Sequence, residues 1–328
     1  MEFYTHLTYS KPIFQFSYED RMMLLGSCFV ENMGIRMENL KFRTDINPFG
    51  TLYNPASIAS ALNRLIDSVP FHEEDLFFSD GLYHSYLHHS RFSASSADLC
   101  LKLINNRLQE SANFFRQCKR LIITFGTSWV YKLKDTGKIV ANCHKQPERI
   151  FNRERLDVTS IVSSWTELIE KIQKINPYIK ILFTVSPIRH WKDGAHGNQL
   201  SKSVLLLAID ELNRLFPETT AYFPSYEIMM DELRDYRFYA DDMLHPSTQA
   251  IDYIWEKFVE QEITTESKQI MKTCLDIKKA VEHRPFNPES DAYKQFIMQT
   301  LLKIDQLNKK FIFFDYSKEQ NILKSKIK

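Results

Sequence analysis

Two short segments carry the residue types of nucleophilic acyl chemistry. In Leu24-Leu25-Gly26-Ser27-Cys28-Phe29 a hydroxyl follows a short apolar run, and Phe29, Met33, Met37 and Leu40 then recur at helical spacing. A serine at the carboxyl end of a buried strand, on a sharp turn into a helix, projects from the sheet edge beside the N–H groups of the helix start, which is nucleophile geometry. The same position also suits an ordinary helix N-cap. In Asp242-Met243-Leu244-His245-Pro246 the proline keeps His245 out of the helical region, so Asp242 can fold back on the imidazole, fix its tautomer and make it a pre-oriented base. Asp-x-x-His alone equally describes a solvated loop. Together, a strand-end serine early and this loop late are the parts of a hydrolytic triad, recognised by role and not by order.

Other residues could serve such a centre. The chain has only 8 glycines, and Gly50 in Phe49-Gly50 and Gly126 in Thr124-Phe125-Gly126-Thr127-Ser128 both follow extended segments. Glycine lets backbone N–H groups approach a reacting carbonyl without a Cβ in the way, although plain turn chemistry accounts for either one alone. Arg189-His190 follows a strand end and can bind a substrate anion or replace the base; a solvated loop is the alternative. The run Arg234 to Tyr239 reads either as a sugar platform or as packed aromatics. His84, His88 and His89 lack Cys or carboxylate neighbours at metal spacing, so no metal is expected. Cys28 reads as an inert buried thiol beside Ser27. No cofactor is expected.

Composition narrows the partners. Forty-two basic and 41 acidic side chains leave a net charge of +1, so no global field argues for nucleic acid or an anionic membrane, and a small neutral or mixed-charge substrate fits better. Five scattered cysteines without a CxxC pair fit reduced thiols. The segment Met-Glu-Phe-Tyr-Thr-His has neither a basic nor an apolar targeting region, and the longest aliphatic run, Val204 to Ile209, is far short of a membrane span. A cytoplasmic protein without a membrane partner is the expectation; oligomeric state is not indicated.

The elements that must position these residues follow from periodicity. Short buried runs alternate with longer helical ones, the pattern of an α/β fold. Strands are expected at Met22–Leu25, over Lys41–Ile46, and at Leu121–Phe125, Ile179–Val185 and Thr219–Phe223. Helices are expected after Ser27, at Ser57–Leu65, Ala97–Cys118, Ile161–Ile175, Leu200–Leu215 and Ile251–Val259. Hairpins around Asp80-Gly81 and Asp135-Thr136-Gly137 interrupt the alternation. Beyond about residue 262 two helices are expected, Ser267–Val281 and Pro288–Lys309, the latter capped by Asn287 with Pro288 at its first position. This divides the chain into a domain over 1–261 and a helical C-terminal extension, 262–328, packed on the core. Phe311–Phe314 needs cover, and the Lys-rich end is expected to fray.

Several rare strings, in order, resemble the GSCFA-domain proteins, relatives of the SGNH/GDSL-type hydrolases. They are Gly26-Ser27-Cys28-Phe29, Asn47-Pro48-Phe49-Gly50-Thr51-Leu52-Tyr53-Asn54-Pro55, Thr124 to Tyr131, Asn142-Cys143-His144-Lys145, Thr184 to His190, Phe223 to Glu227 and Asp242 to Pro246. Val30 stands where the name-motif ends in Ala. The resemblance implies a three-layer, flavodoxin-like parallel sheet between helices, with Ser27 as nucleophile, His245 as base, Asp242 as its orienter, and oxyanion donors from the Ser27 and Gly50 backbone. The superfamily's third donor is an Asn in Gly-x-Asn-Asp; here Ser128 stands in that place, and either its hydroxyl or Asn142 from the adjoining hairpin is the replacement. Gly126, Arg189 and His190 are the expected substrate contacts. The implied substrate is a small or carbohydrate acyl ester, acetyl on a sugar above all. An O-acyltransferase to a saccharide hydroxyl and a non-catalytic ligand-binding protein are the alternative outcomes.

Overall fold

A computed structural model describes residues 5–9 and 11–326. In chain order the elements are β1 (Arg21–Gly26), α1 (Cys28–Asn39), β2 (Arg43–Ile46), α2 (Pro55–Asp67), β3 (Leu76–Ser79), β4 (Leu82–Ser85), α3 (Ala97–Phe115), β5 (Arg120–Phe125), β6 (Trp129–Leu133), β7 (Ile139–Val140), β8 (Phe151–Arg155), α4 (Val158–Ile175), β9 (Lys180–Val185), α5 (Gly194–Leu215), β10 (Thr220–Phe223), the single turn α6 (Ser225–Glu227), α7 (Thr248–Glu262), α8 (Thr265–Glu282), α9 (Asp291–Lys310) and α10 (Ser317–Ser325).

Five strands form the central sheet in the spatial order β2-β1-β5-β9-β10, and every neighbouring pair is parallel. Counting only these strands, the order is 2-1-3-4-5, the flavodoxin-like arrangement. The period-2 alternation of each strand divides the interior into two cores. Met23, Leu25, Leu121, Ile123, Phe125, Ile181 and Phe183 face one side, where α2, α3, α4 and α5 cover them. Met22, Leu24, Ile122 and Leu182 face the other, under α1 and α7. Burial on both faces is what makes these strands read as continuous apolar runs.

The residues after α7 join the second core. Cys274, Ile277, Ile297, Ile304 and Leu323 from α8, α9 and α10 pack with Tyr18, Phe42, Phe311 and Phe314, and Tyr18 stacks on Phe42 with ring centroids 4.1 Å apart. Phe311 and Phe314 are therefore covered, as their apolarity requires.

Four local expectations need correction. Helix α9 starts at Asp291, where the Ser290 side chain accepts from the Tyr293 N–H, so Asn287-Pro288 precedes the helix instead of capping it. A third C-terminal helix, α10, extends through Ser325 where fraying was expected; residues 327–328 lie outside the described ones. Helix α5 begins at Gly194, a turn and a half before the leucine-rich stretch. The hairpin after β5 has a third strand, β8, giving a small sheet of order β7-β6-β8.

Candidate active site

In a doubly wound sheet, ligands bind outside the carboxyl ends of the strands where the order reverses, here between β1 and β5. The segments leaving β1, β5 and β9 end there, and Ser27, Thr127 and Ser186 line one cavity of about 600 Å³. Trp129, Tyr131, Asn142 and Arg153 of the small sheet and its turn line it too, as do Arg189, His190 and His245. The hairpin and small sheet that follow β5 thus contribute to the wall of the site.

Ser27 sits on a strained turn. Gly26 has φ +142°, and a Cβ there would lie 2.3 Å from the Thr124 carbonyl oxygen, so only glycine joins β1 to α1 this closely. Asn47 holds the turn, its Oδ1 accepting from the Gly26 N–H at 2.9 Å. Ser27 occupies the N-cap position of α1, yet its side chain makes no capping hydrogen bond. The Oγ is buried without any hydrogen-bond partner among the described residues. A serine conserving helix stability would use its hydroxyl on the orphan N–H groups; this one keeps it uncommitted, which an N-cap reading does not explain.

The candidate base, His245, lies in a tight turn. His245 Nδ1 and Asp242 Oδ2 are 2.5 Å apart, and Asp242 Oδ1 accepts from the backbone N–H groups of Leu244 and His245, both at 2.9 Å. Met243 takes a positive φ of 58° so that the carboxylate can reach both amides. The His245 N–H bond, that of Leu244 and the imidazole contact together hold the Asp242 carboxyl down at about 2. Nδ1 is thereby committed and Nε2 carries no partner among the described residues. Ser27 and His245 line the same cavity without a hydrogen bond between them; catalytic bonds of unliganded sites are often long and tighten when substrate binds.

The expected oxyanion donors divide. The Gly50 N–H donates to the Asn47 carbonyl at 2.7 Å, and Gly50 is not in the cavity wall; its glycine identity answers φ +81° and a close approach to His89, whose Cβ would lie 2.1 Å from an added one. Ser128 is fully buried, with both its N–H and its hydroxyl on Ser201 Oγ, at 2.8 and 3.1 Å. Neither faces the cavity. Asn142 does: its Oδ1 accepts from the His144 N–H at 2.8 Å, which turns Nδ2 into the free end of the amide.

Of the expected substrate contacts, Arg189 and His190 line the cavity, whereas Gly126 lies behind it, donating to the Tyr53 carbonyl at 2.8 Å. His190 Nε2 is buried and unpartnered. Burial, then the charges of Lys202, His245 and Arg153, push this imidazole down to about 4, so it stays neutral near pH 7 and suits hydrogen bonding better than proton abstraction. Cys28 also lines the cavity, and burial raises its thiol, leaving it protonated and a poor nucleophile. Of the histidines considered for metal binding, His84 Nδ1 bonds Ser93 Oγ at 2.7 Å and His88 Nδ1 bonds Ser85 Oγ at 3.0 Å, while His89 lines the cavity with its Nδ1 accepting from the Arg91 N–H at 3.2 Å.

One residue was missed. Lys202 on α5 is fully buried, and its Nζ donates to the carbonyls of Gly126 and Ser186, each at 2.7 Å. It ties together the ends of β5 and β9, where Thr127 and Ser186 line the cavity. Burial brings its ammonium down to about 7. A lysine within a helical pattern reads as a solvated face, so nothing in the residue string marks it.

Among the described residues no helix is long and apolar enough to cross a membrane. A search of the curated proteins finds no match. Two solved structures are similar over most of the chain at low identity. A carbohydrate esterase family 3 protein from Talaromyces cellulolyticus shares 11% identity, with 77% of this chain and 98% of that one covered at a TM-score of 0.37. The acetyl xylan esterase Est2A from the rumen bacterium Butyrivibrio proteoclasticus shares 12%, with 74% and 63% covered at a TM-score of 0.38. The model of the GSCFA domain protein C-terminal domain matches residues 275–328. The GSCFA family model matches residues 21–258, and with most of its length inside that match the chain belongs to the GSCFA family.

Proposed function

We propose that the protein is a serine-dependent acyl-ester hydrolase of the SGNH/GDSL type, acting on a small or carbohydrate ester. The observation that carries this reading is the shared cavity: a buried, unpartnered Ser27 hydroxyl and an imidazole already oriented by Asp242 line one volume. The position of Ser27 after the first strand of a 2-1-3-4-5 sheet supports it.

Ser27 Oγ attacks the ester carbonyl carbon as its proton passes to His245 Nε2. The Oγ–C bond forms, the carbonyl oxygen takes the negative charge, and the Ser27 N–H with Asn142 Nδ2 receives it. Collapse breaks the C–O bond to the alcohol, which leaves with the proton from His245. Water then repeats the sequence on the acyl-enzyme and releases the acid, while Asp242 stabilises the imidazolium in both halves. A sugar hydroxyl in place of that water would make the protein an O-acyltransferase.

The competing reading is ligand binding without turnover, and it draws on the absence of Gly50 and Ser128 from the cavity. Steady-state hydrolysis of p-nitrophenyl acetate separates the two. Wild type should turn over, and His245→Ala should lose about 10²-fold or more in kcat/KM; a wild type no faster than buffer would favour binding alone.

A further inference from the structure

A second cavity of about 490 Å³ adjoins the first. The two share Arg189 and Trp191, and the second runs along the Asp242 to Leu244 turn that carries the base. Its wall combines three aromatic, four charged and four methionine or leucine side chains: Trp191 is 51% exposed and Tyr236 75%, and Tyr239 lies between them and the base loop in sequence and also lines it. Large aromatic faces left in water beside a catalytic loop lack a packing explanation and suit the apolar face of a pyranose ring.

The charges of this cavity can be accounted for one by one. Asp242 is held by His245, Asp235 pairs with Arg237, and Arg234 pairs with Asp231. Arg189 alone has neither an ion pair nor a hydrogen bond among the described residues, and its Nε is buried without a partner. Its guanidinium carbon stands 5.2 Å from the centroid of the Trp191 ring, which holds the fork against an aromatic wall at the seam of the two cavities. A buried donor left unpaired is costly, whereas a planar carboxylate satisfies a guanidinium with two parallel bonds.

We infer that the second cavity is the subsite for the alcohol part of the substrate, and that this part is a saccharide whose carboxylate, as in a uronic acid, docks on Arg189 while its ring lies on Trp191. This rests on the esterase reading only in naming the bound saccharide as the substrate's alcohol part. The sugar then enters beside the base, and the acyl group reaches Ser27 in the first cavity.

Calorimetric titration with a glucuronic-acid disaccharide, its uronamide and a sugar phosphate tests the subsite without requiring turnover. The uronate should bind at least about 10-fold more tightly than the uronamide and more tightly than the phosphate. Arg189→Gln should remove that preference, Arg189→Lys should restore part of it, and Trp191→Ala should weaken uronate and uronamide alike; thermal melts confirm that each variant is folded. Equal binding of uronate and uronamide, or no binding of either, would overturn the proposal, and a preference for the phosphate would overturn the carboxylate assignment. Discriminating binding by a wild type that leaves p-nitrophenyl acetate intact would contradict the esterase reading while upholding the subsite. Hydrolysis without discrimination would do the reverse.

Discussion

Asp242 and His245 meet through a 2.5 Å contact between Oδ2 and Nδ1, with the other carboxylate oxygen fixed by two backbone amides. The carboxylate is thus oriented before any substrate arrives. Because these bonds hold Asp242 at about 2, it remains ionised through the whole range in which esterases are assayed, and loss of activity on acidification to pH 5 should report proton uptake elsewhere in the site. Asp242→Asn leaves the turn's amides an acceptor but presents no negative charge to the imidazolium. It should lower kcat/KM by about 10²–10⁴-fold. A kcat/KM in Asp242→Asn within a few-fold of wild type on p-nitrophenyl acetate would contradict the role given to the carboxylate.

Of the two candidates for the missing oxyanion donor, Asn142 lines the cavity and Ser128 does not. Asn142→Ala should reduce kcat about 10²–10³-fold with little change in KM, the signature of an interaction made only in the transition state. Ser128→Ala, whose hydroxyl is bonded to Ser201 behind the wall, should act on stability by about 1 kcal/mol and spare kcat. Stopped kinetics on the pair with one chromogenic acetate decides it; a larger kcat loss in Ser128→Ala would reverse the assignment.

Lys202 links the site to pH through stability. Its folded pKa is lowered to about 7 from 10.5, so between those values the unfolded chain binds the extra proton and the fold gains stability as pH rises. Below pH 7 both states are protonated and the contribution is flat. Lys202→Met should abolish that slope, and because it strands the Gly126 and Ser186 carbonyls it should cost about 2 kcal/mol or more at pH 9, with a smaller cost at pH 6. Urea unfolding at the two pH values measures this, and a variant whose slope matches wild type would contradict the assigned pKa.

What could be read from the residue string is what has a periodic or covalent cause. The strand into Gly26, the helix from Cys28 and the turn before Pro246 are local: a four-residue apolar run, a 3.6-residue stripe and a proline restriction fix them. Strand β8 has no such mark, since Phe-Asn-Arg-Glu-Arg buries only Phe151, and its strand state comes from pairing with β6. Helix α10 likewise buries only Leu323 and is held by the second core. The direction of a hydrogen bond is less visible still. The loops that hold Gly50 and Ser128 are legible in the sequence, yet one N–H closes its own turn and one hydroxyl faces Ser201. Lys202 shows the limit most plainly, because a buried lysine and a solvated one have the same spacing in a helix.

The central claim is that Ser27 becomes acylated. Intact-protein mass spectrometry after reaction with a fluorophosphonate, followed by peptide mapping, tests it most directly. The account predicts a single phosphonyl adduct on Ser27 in wild type, slowed in His245→Ala and absent in Ser27→Ala with the fold intact by circular dichroism. An adduct of equal yield in Ser27→Ala, or one mapping to Cys28 or another serine, would contradict it.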